Sequence, residues 1–307
     1  MIIKRKYIQS DYDRIIEFLR QEYLENKNEN SWLAQRWEDM EYRVDVLHTQ
    51  ERNKPSWHDY IMIWEDDGKI VAVCNNEGGN ECWMHIHNGY EYLYPEMLTW
   101  AENSIAKLGD SLSVFATESQ PYKEKELLKR NYDKNTNLEE ISFMKKVKCN
   151  KTYEVNVPEG FEIIAGTEGL NHKEIRNACE YGFHPDREGQ LSNEGELAPS
   201  WKSRDIAPMF DYKFEVIAKA PNGETASYSY VWVDRKTSTG YIEPVSTRLK
   251  YRRLGLGKAI QLATLNLLNK ENVEYCFVNP YGETRDKFYS SCGYVTFDKE
   301  FEYKKEL

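Results

Sequence analysis

Between Tyr241 and Ile260 the chain reads Y-I-E-P-V-S-T-R-L-K-Y-R-R-L-G-L-G-K-A-I. Arg248, Lys250, Arg252, Arg253 and Lys258 place five positive charges within eleven residues, and no acid interrupts them. The pattern Arg252-x-x-Gly255-x-Gly257 joins a strand-like run to a helix-like one. Glycines at such a junction let the backbone approach a ligand closely. The amides of a helix's first turn lack acceptors inside the helix, so an anion is favoured there. Phosphate binding is the chemistry this supports, and a glycine-rich helix start with a solvated charge run is the plain alternative. A Walker loop needs G-x-x-x-x-G-K-S/T and a dinucleotide fingerprint needs G-x-G-x-x-G. Neither spacing is present, which removes both nucleotide readings.

The elements that would position this loop occur twice along the chain. Ile2 to Ile8 is strand-like, and Ser10 with Asp13 forms a capping-box pattern ahead of a helix whose apolar face is Ile15, Phe18 and Leu19. In the second half, Phe161 to Ala165 leads into a helical segment near Lys173 to Tyr181. Asp67-Gly68 and Asn222-Gly223 each separate two strand-like runs, as tight hairpin turns do. Each hairpin is followed by a strand, a helix, a buried-looking strand, a helix that leads to Tyr132 or Tyr294, and a closing strand. The offset is 155 residues at the hairpins and 162 at the tyrosines, so the repeat has the size of a domain. A polar stretch near Cys149–Pro158 suggests domains over 1–150 and 151–307.

Downstream of the loop, F-Y-S-S-C-G-Y runs from Phe288 to Tyr294. These two motifs, in this order, resemble the GNAT superfamily of acyl-CoA-dependent N-acyltransferases, whose signature is R/Q-x-x-G-x-G/A after the fourth strand and F-Y-x-x-x-G-F/Y near the end. The resemblance covers residues 160–307 and, in weaker form, 1–148. It implies an α+β fold of two tandem GNAT-like domains, each a central mixed β-sheet flanked by helices, with a degenerate N-terminal copy. It also implies acetyl-CoA as co-substrate, with no metal, and an acetyl or short acyl group transferred to a primary amine by direct attack. The acceptor would be a small-molecule or peptide amine.

In this family a tyrosine protonates the leaving thiolate, and Tyr289 matches it. A phenol with a pKa near 10 is protonated at neutral pH and can donate. Glu243 lies two residues after Tyr241, on the face that alternation shares between Tyr241 and Val245, and a carboxylate there can act as base directly or through water. Pro244 interrupts strand hydrogen bonding beside it, which resembles the family's strand splay, so amides of Val245, Ser246 and Thr247 are expected to hold the thioester. Arg252, Arg253, Leu254, Gly255, Leu256, Gly257 and Lys258 would hold the pyrophosphate. Many relatives carry an Asn seven residues before the tyrosine that Tyr289 matches; here that place is Gly282, with Asn279 three residues earlier. The first copy reads H-I-H-N-G-Y-E-Y-L-Y-P-E-M at the loop, with acids Glu91 and Glu96, and aligning the tyrosines puts Leu127 where Tyr289 stands. Coenzyme A binding of the same kind is not expected there. A non-catalytic acyl-CoA-binding or regulatory module with the same fold is the alternative from another class.

The whole chain sets outer bounds. Its 307 residues are 40% hydrophobic and 13% aromatic, enough for two cores and against global disorder. A net charge of −10 disfavours nucleic acid and anionic membrane as partners. No run reaches the 18 apolar residues of a membrane span, and the N-terminus lacks a signal peptide's apolar stretch. Six scattered cysteines without a C-x-x-C pair fit reduced thiols, so a cytoplasmic location and a monomer or homodimer are expected. Cys82-x-x-His85-x-His87 is discounted as a metal site, because alternation points Cys82 away from the histidines and no second cluster completes four ligands.

Overall fold

The computed structural model describes residues 1–25 and 32–306. In the first half lie β1 (Ile2–Lys6), α1 (Tyr12–Leu24), α2 (Ala34–Asp39), β2 (Met62–Asp66), β3 (Lys69–Asn75), β4 (Glu81–Ile86), α3 (Tyr94–Asn103), β5 (Ser111–Thr117), α4 (Pro121–Lys129), β6 (Asp133–Lys134) and β7 (Ser142–Lys148). The second half carries β8 (Glu162–Ala165), α5 (His172–Phe183), α6 (Pro199–Lys202), β9 (Glu215–Lys219), β10 (Thr225–Asp234), β11 (Thr239–Thr247), α7 (Leu256–Lys270), β12 (Tyr275–Val278), α8 (Glu283–Ser291) and β13 (Val295–Glu306).

Two compact units result, and they are not the linear segments 1–150 and 151–307. The first comprises Met1–Met144, Asn279–Asp286 and the chain from Thr296 on; the second comprises Lys145–Val278 and Lys287–Val295. The departure is an exchange of closing strands. Strand β13 pairs antiparallel with β5 over Glu300–Glu306, whereas Lys145–Lys148 of β7 pair antiparallel with Val278–Tyr275 of β12. Linear reading assigns each closing strand to its own repeat, because strand periodicity says which face is buried but not which edge is joined.

In the first unit the strand order is β1-β2-β3-β4-β5-β13, with β6 beside β13. Only β4 and β5 are parallel, and they pair only at Glu81↔Ser113 and Cys82↔Val114, so the rest of β4 diverges from β5. Asp67 and Gly68 have φ of 47° and 77°, the conformation that a two-residue hairpin requires. The expected Ser10 cap does not form. Asp11 takes that place: its carboxylate accepts from Ile8 N at 3.0 Å and pairs with Arg5 at 2.6 Å and Arg14 at 2.9 Å. Ile15, Phe18 and Leu19 are buried on α1 as their spacing requires. Met97, Leu98 and Ala101 of α3 pack with Trp64, Leu112 and Leu127 in the core.

In the second unit the order is β8-β9-β10-β11-β12-β7. The parallel pair is β11 with β12, joined at Thr239↔Tyr275, Gly240↔Cys276 and Tyr241↔Phe277. Strand β11 continues to Thr247 while β12 ends at Val278, so the two part beyond Tyr241. The turn at Asn222-Gly223 is longer than two residues: Gly223 N donates to Ala220 O at 2.8 Å, and of the pair only Gly223 is left-handed, at φ 83°. Leu256, Ala259, Ile260, Leu265 and Leu268 bury one face of α7 at helical spacing, and Leu256 and Ile260 pack with Val216, Ala218 and Ala226.

Candidate active site

Helix α7 opens on Gly255, which has φ +81°. A side chain is strained in that conformation, yet no atom lies within 4 Å of where its Cβ would be, so the backbone requires the glycine and the space before it is open. The first intrahelical bond runs from Ala259 N to Gly255 O at 3.0 Å. No side chain caps the helix, so the amides of Leu256, Gly257 and Lys258 stand at an uncapped positive end.

The charge run is used mostly within the protein. Arg248, 5% exposed, donates to Thr225 O at 3.2 Å and pairs with Glu188 and Glu224. Lys250 pairs with Glu224 at 2.8 Å and with Glu188 at 3.3 Å. Burial alone would raise the Glu224 carboxyl, but Lys250, Tyr251 and Asn222 hydrogen-bond to it and Arg248 adds its charge, which holds it at about 2. Arg252 spans the loop, donating from Nε to Thr247 O at 3.0 Å and from Nη2 to Gly182 O at 2.6 Å. Arg253 and Lys258 make no hydrogen bond or ion pair among the described residues, while Leu254 is exposed. Glu188 and Glu224 lie far from the run in sequence, so only folding shows that three of the five charges are neutralised or tied to carbonyls.

Strand β11 carries a correction. Its register to β10 steps from Val231↔Ile242 to Ser229↔Val245, so one extra residue is accommodated around Glu243 and Pro244, whose peptide is cis. A bulge of this kind reverses the alternation. Tyr241 and Val245 are therefore on opposite faces, against the expectation from simple spacing. Val245 packs with the core beneath α7, whereas Ser246 meets α5, where a Cβ on Gly182 would approach Ser246 Cβ to 2.5 Å.

Three elements converge at the start of α7. A Cβ on Gly257 would lie 3.4 Å from Phe288 Cε2 and 3.4 Å from Thr247 Oγ1. Phe288 and Gly182 are contacts that the sequence reading missed; Phe288 was legible only as half of the F-Y pair. Next to Phe288, Tyr289 is 8% exposed and its hydroxyl makes no hydrogen bond among the described residues. Burial pushes the phenol above its usual range, and the nearby Glu243 charge adds to the effect. Glu243 itself is half-buried. Among the expected residues, Gly255, Gly257, Thr247, Tyr289 and Glu243 thus share one region; Arg252 and Ser246 are turned to α5.

The corresponding places in the first unit are filled by its own side chains. Glu91 accepts from Gly89 N at 3.0 Å in the loop before α3, which sets a negative charge ahead of that helix. Trp83 and Phe115 stack at 4.5 Å with 6° between their planes where β4 leaves β5. The histidines of the discounted metal motif have other partners: His85 Nε2 meets Asn75 Oδ1 at 3.0 Å and His87 Nδ1 meets Glu22 Oε1 at 2.7 Å. Among the described residues no group of three His, Cys, Asp or Glu is placed to hold a metal. All six cysteines are free and buried, and no described helix is long and apolar enough to cross a membrane.

No family model matches this sequence, and no curated protein matches it. Solved structures do match over the whole chain. A GCN5-related N-acetyltransferase from Sphaerobacter thermophilus aligns over 99% of this chain and 95% of its own, with TM-score 0.68 and 14% identity. A tandem GNAT protein from the clavulanic acid biosynthesis pathway aligns over 100% and 98%, with TM-score 0.66 and 12% identity. A glucosamine N-acetyltransferase region of a fungal multi-domain GH3 β-N-acetylglucosaminidase aligns over 99% of this chain and 38% of that one, with TM-score 0.56 and 14% identity. The fold is accordingly the tandem GNAT fold, an α+β arrangement with a mixed sheet and flanking helices in each unit.

Proposed function

We propose that the protein is a coenzyme A-dependent N-acetyltransferase whose chemistry resides in the second unit. The observation that carries this reading is the convergence of an open, uncapped helix start with a buried, unbonded tyrosine beside the strand divergence. The donor set fits the co-substrate's pyrophosphate: the amides of Leu256, Gly257 and Lys258, the unpaired Arg253 and Lys258, and the clear space before Gly255 all favour an anion. Arg252 serves the loop instead, by tying Thr247 O to Gly182 O. Beyond Tyr241, β12 no longer pairs with β11, so the backbone of Val245 to Thr247 borders the divergence where the thioester arm would lie.

Coenzyme A supplies the acyl thioester. Glu243 takes a proton from the acceptor ammonium, directly or through water, so that a neutral amine attacks. Tyr289 gives its proton to the departing sulfur. Its raised affinity for that proton keeps it in the donor form across the neutral range. The acceptor is a primary amine of a small molecule or peptide, and no nucleic acid or membrane takes part.

Calorimetric titration of acetyl-CoA into the wild type and into Gly255→Glu tests this directly. The variant sets a carboxylate against the pyrophosphate, and its affinity should fall by at least tenfold. Absence of binding to the wild type would overturn the reading.

A further inference from the structure

Between α5 and α6 the chain from 184 to 198 forms one short 3₁₀ turn, Pro185–Arg187, and is otherwise irregular. Most of its polar contacts return to α5. Asn177 Nδ2 donates to Ser192 O at 2.7 Å, the Tyr181 hydroxyl donates to Leu191 O at 3.1 Å and accepts from Leu191 N at 3.0 Å, and Arg187 pairs with Glu180. Glu188 is the exception. Its carboxylate reaches the loop between β11 and α7, where it accepts from Arg248 Nε at 3.3 Å and from Arg248 Nη2, and pairs with Lys250 at 3.3 Å. Among the described residues no other side chain of 184–198 makes a hydrogen bond or ion pair beyond α5 and the segment itself.

The arginine at the other end is itself held in place. Arg248 is 5% exposed, and its Nη1 and Nη2 also donate to Thr225 O and to Glu224 Oε1, each at 3.2 Å. The rings of Tyr181 and Tyr251 lie 5.3 and 5.7 Å from its guanidinium carbon. Two N–H groups of a planar fork on one carboxylate fix direction as well as distance. Burial alone would raise the Glu188 carboxyl, but hydrogen bonds and charge from Arg248 and Lys250 hold it below its usual range, so the pair is charged at neutral pH.

This contact is made beside the strand that carries Glu243. The end of α5 lies against β11: a Cβ on Gly182 would come within 3.1 Å of Thr247 N, and Arg252 binds Gly182 O and Thr247 O together. The segment therefore leaves α5 next to the strand end that borders the thioester in the proposed reaction, where an acceptor has to approach. We propose that Glu188 is a positioning residue: its fork with Arg248 fastens the 184–198 segment to the loop that opens α7, so that one wall of the acceptor site is set by the same loop that receives the coenzyme. What the wall serves rests on the acetyltransferase reading; the tether does not. Coenzyme bound at the start of α7 steadies the loop that carries Arg248, and through Glu188 it opposes opening of the segment.

Amide hydrogen exchange of the full chain, with acetyl-CoA as the probe, tests this. In the wild type, acetyl-CoA should slow exchange at Gln190 and Leu191 by about fivefold. Glu188→Gln keeps the shape and removes the charge. Exchange at these two amides should then rise by about tenfold and no longer respond to acetyl-CoA, while Ala259 in α7 exchanges as in the wild type without ligand. By reciprocity the affinity for acetyl-CoA should change by no more than about fivefold. Glu188→Asp, which keeps the charge on a shorter stem, should restore part of both the protection and the response. Wild-type exchange at Gln190 and Leu191 in Glu188→Gln overturns the tether, and a response to acetyl-CoA that survives this substitution overturns its coupling to the coenzyme loop. Failure of acetyl-CoA to bind the wild type would instead remove the acetyltransferase reading, and the comparison without ligand would still decide the tether.

Discussion

Leu127 and Tyr289 occupy the same place in their two units. The N–H of the tyrosine five residues on donates to each of their carbonyls at 3.1 Å, Tyr132 to Leu127 and Tyr294 to Tyr289. The turns between also correspond, closed by Arg130 N on Leu127 O and by Cys292 N on Tyr289 O, each at 3.0 Å. One position thus carries a core leucine in the first unit and an unbonded phenol in the second. Tyr289→Phe should lower kcat by about 10²-fold or more, with acetyl-CoA affinity unchanged in calorimetry. Loss of affinity in step with rate would assign Tyr289 to binding instead.

The Tyr289 phenol is held above its ordinary range by burial and by the Glu243 charge. It therefore remains protonated well past neutrality, and a rate profile measured up to about pH 9.5, roughly half a unit below the free phenol value, should show no descending limb that Tyr289→Phe removes.

Glu243→Gln keeps shape and removes the proton acceptor. With a primary amine as acceptor, kcat/KM at neutral pH should fall by about 10²-fold, and raising the pH to deprotonate the free amine should recover part of the loss. Equal rates for variant and wild type at neutral pH would remove Glu243 as the base.

Glu224 makes the loop sensitive to acid. Its folded-state pKa, about 2, lies below the ordinary carboxyl value of about 4.5, so its stabilising contribution is fully present above about 4.5 and is lost as pH falls toward 2. Amide exchange at Arg248, Tyr251 and Arg252, corrected for intrinsic rates, should accelerate over that window in the wild type. Glu224→Gln should already exchange fast at pH 6, and only weakly depend on pH below it.

Two substitutions in α7 separate backbone from packing. Gly255→Ala forces a side chain to φ +81° in open space and should cost about 1 kcal/mol. Ile260→Ala empties a fully buried position and should cost about 2–5 kcal/mol. Denaturant unfolding followed by tryptophan fluorescence measures both, and the reverse order would contradict the packing described.

What could be read from the residues alone was whatever depends on near neighbours in the chain. Asp67-Gly68 announces its hairpin because positive φ is a local demand, and Leu256, Ile260 and Leu268 announce a helix because burial recurs with its period. The glycine loop and the Phe288-Tyr289 pair were legible for the same reason. Tertiary structure decided what distant segments settle between them. Glu188 and Glu224 neutralise Arg248 and Lys250, and Arg252 reaches Gly182, although no acid lies within the charge run from Arg248 to Lys258 itself. The bulge at Glu243 reverses the face of Val245 because a register is a relation between two strands. Strand β13 completes the sheet of the first unit, and β7 that of the second, because the pairing groups of a strand are backbone atoms common to every residue, so side-chain pattern says that an edge will be filled and folding alone chooses by which strand.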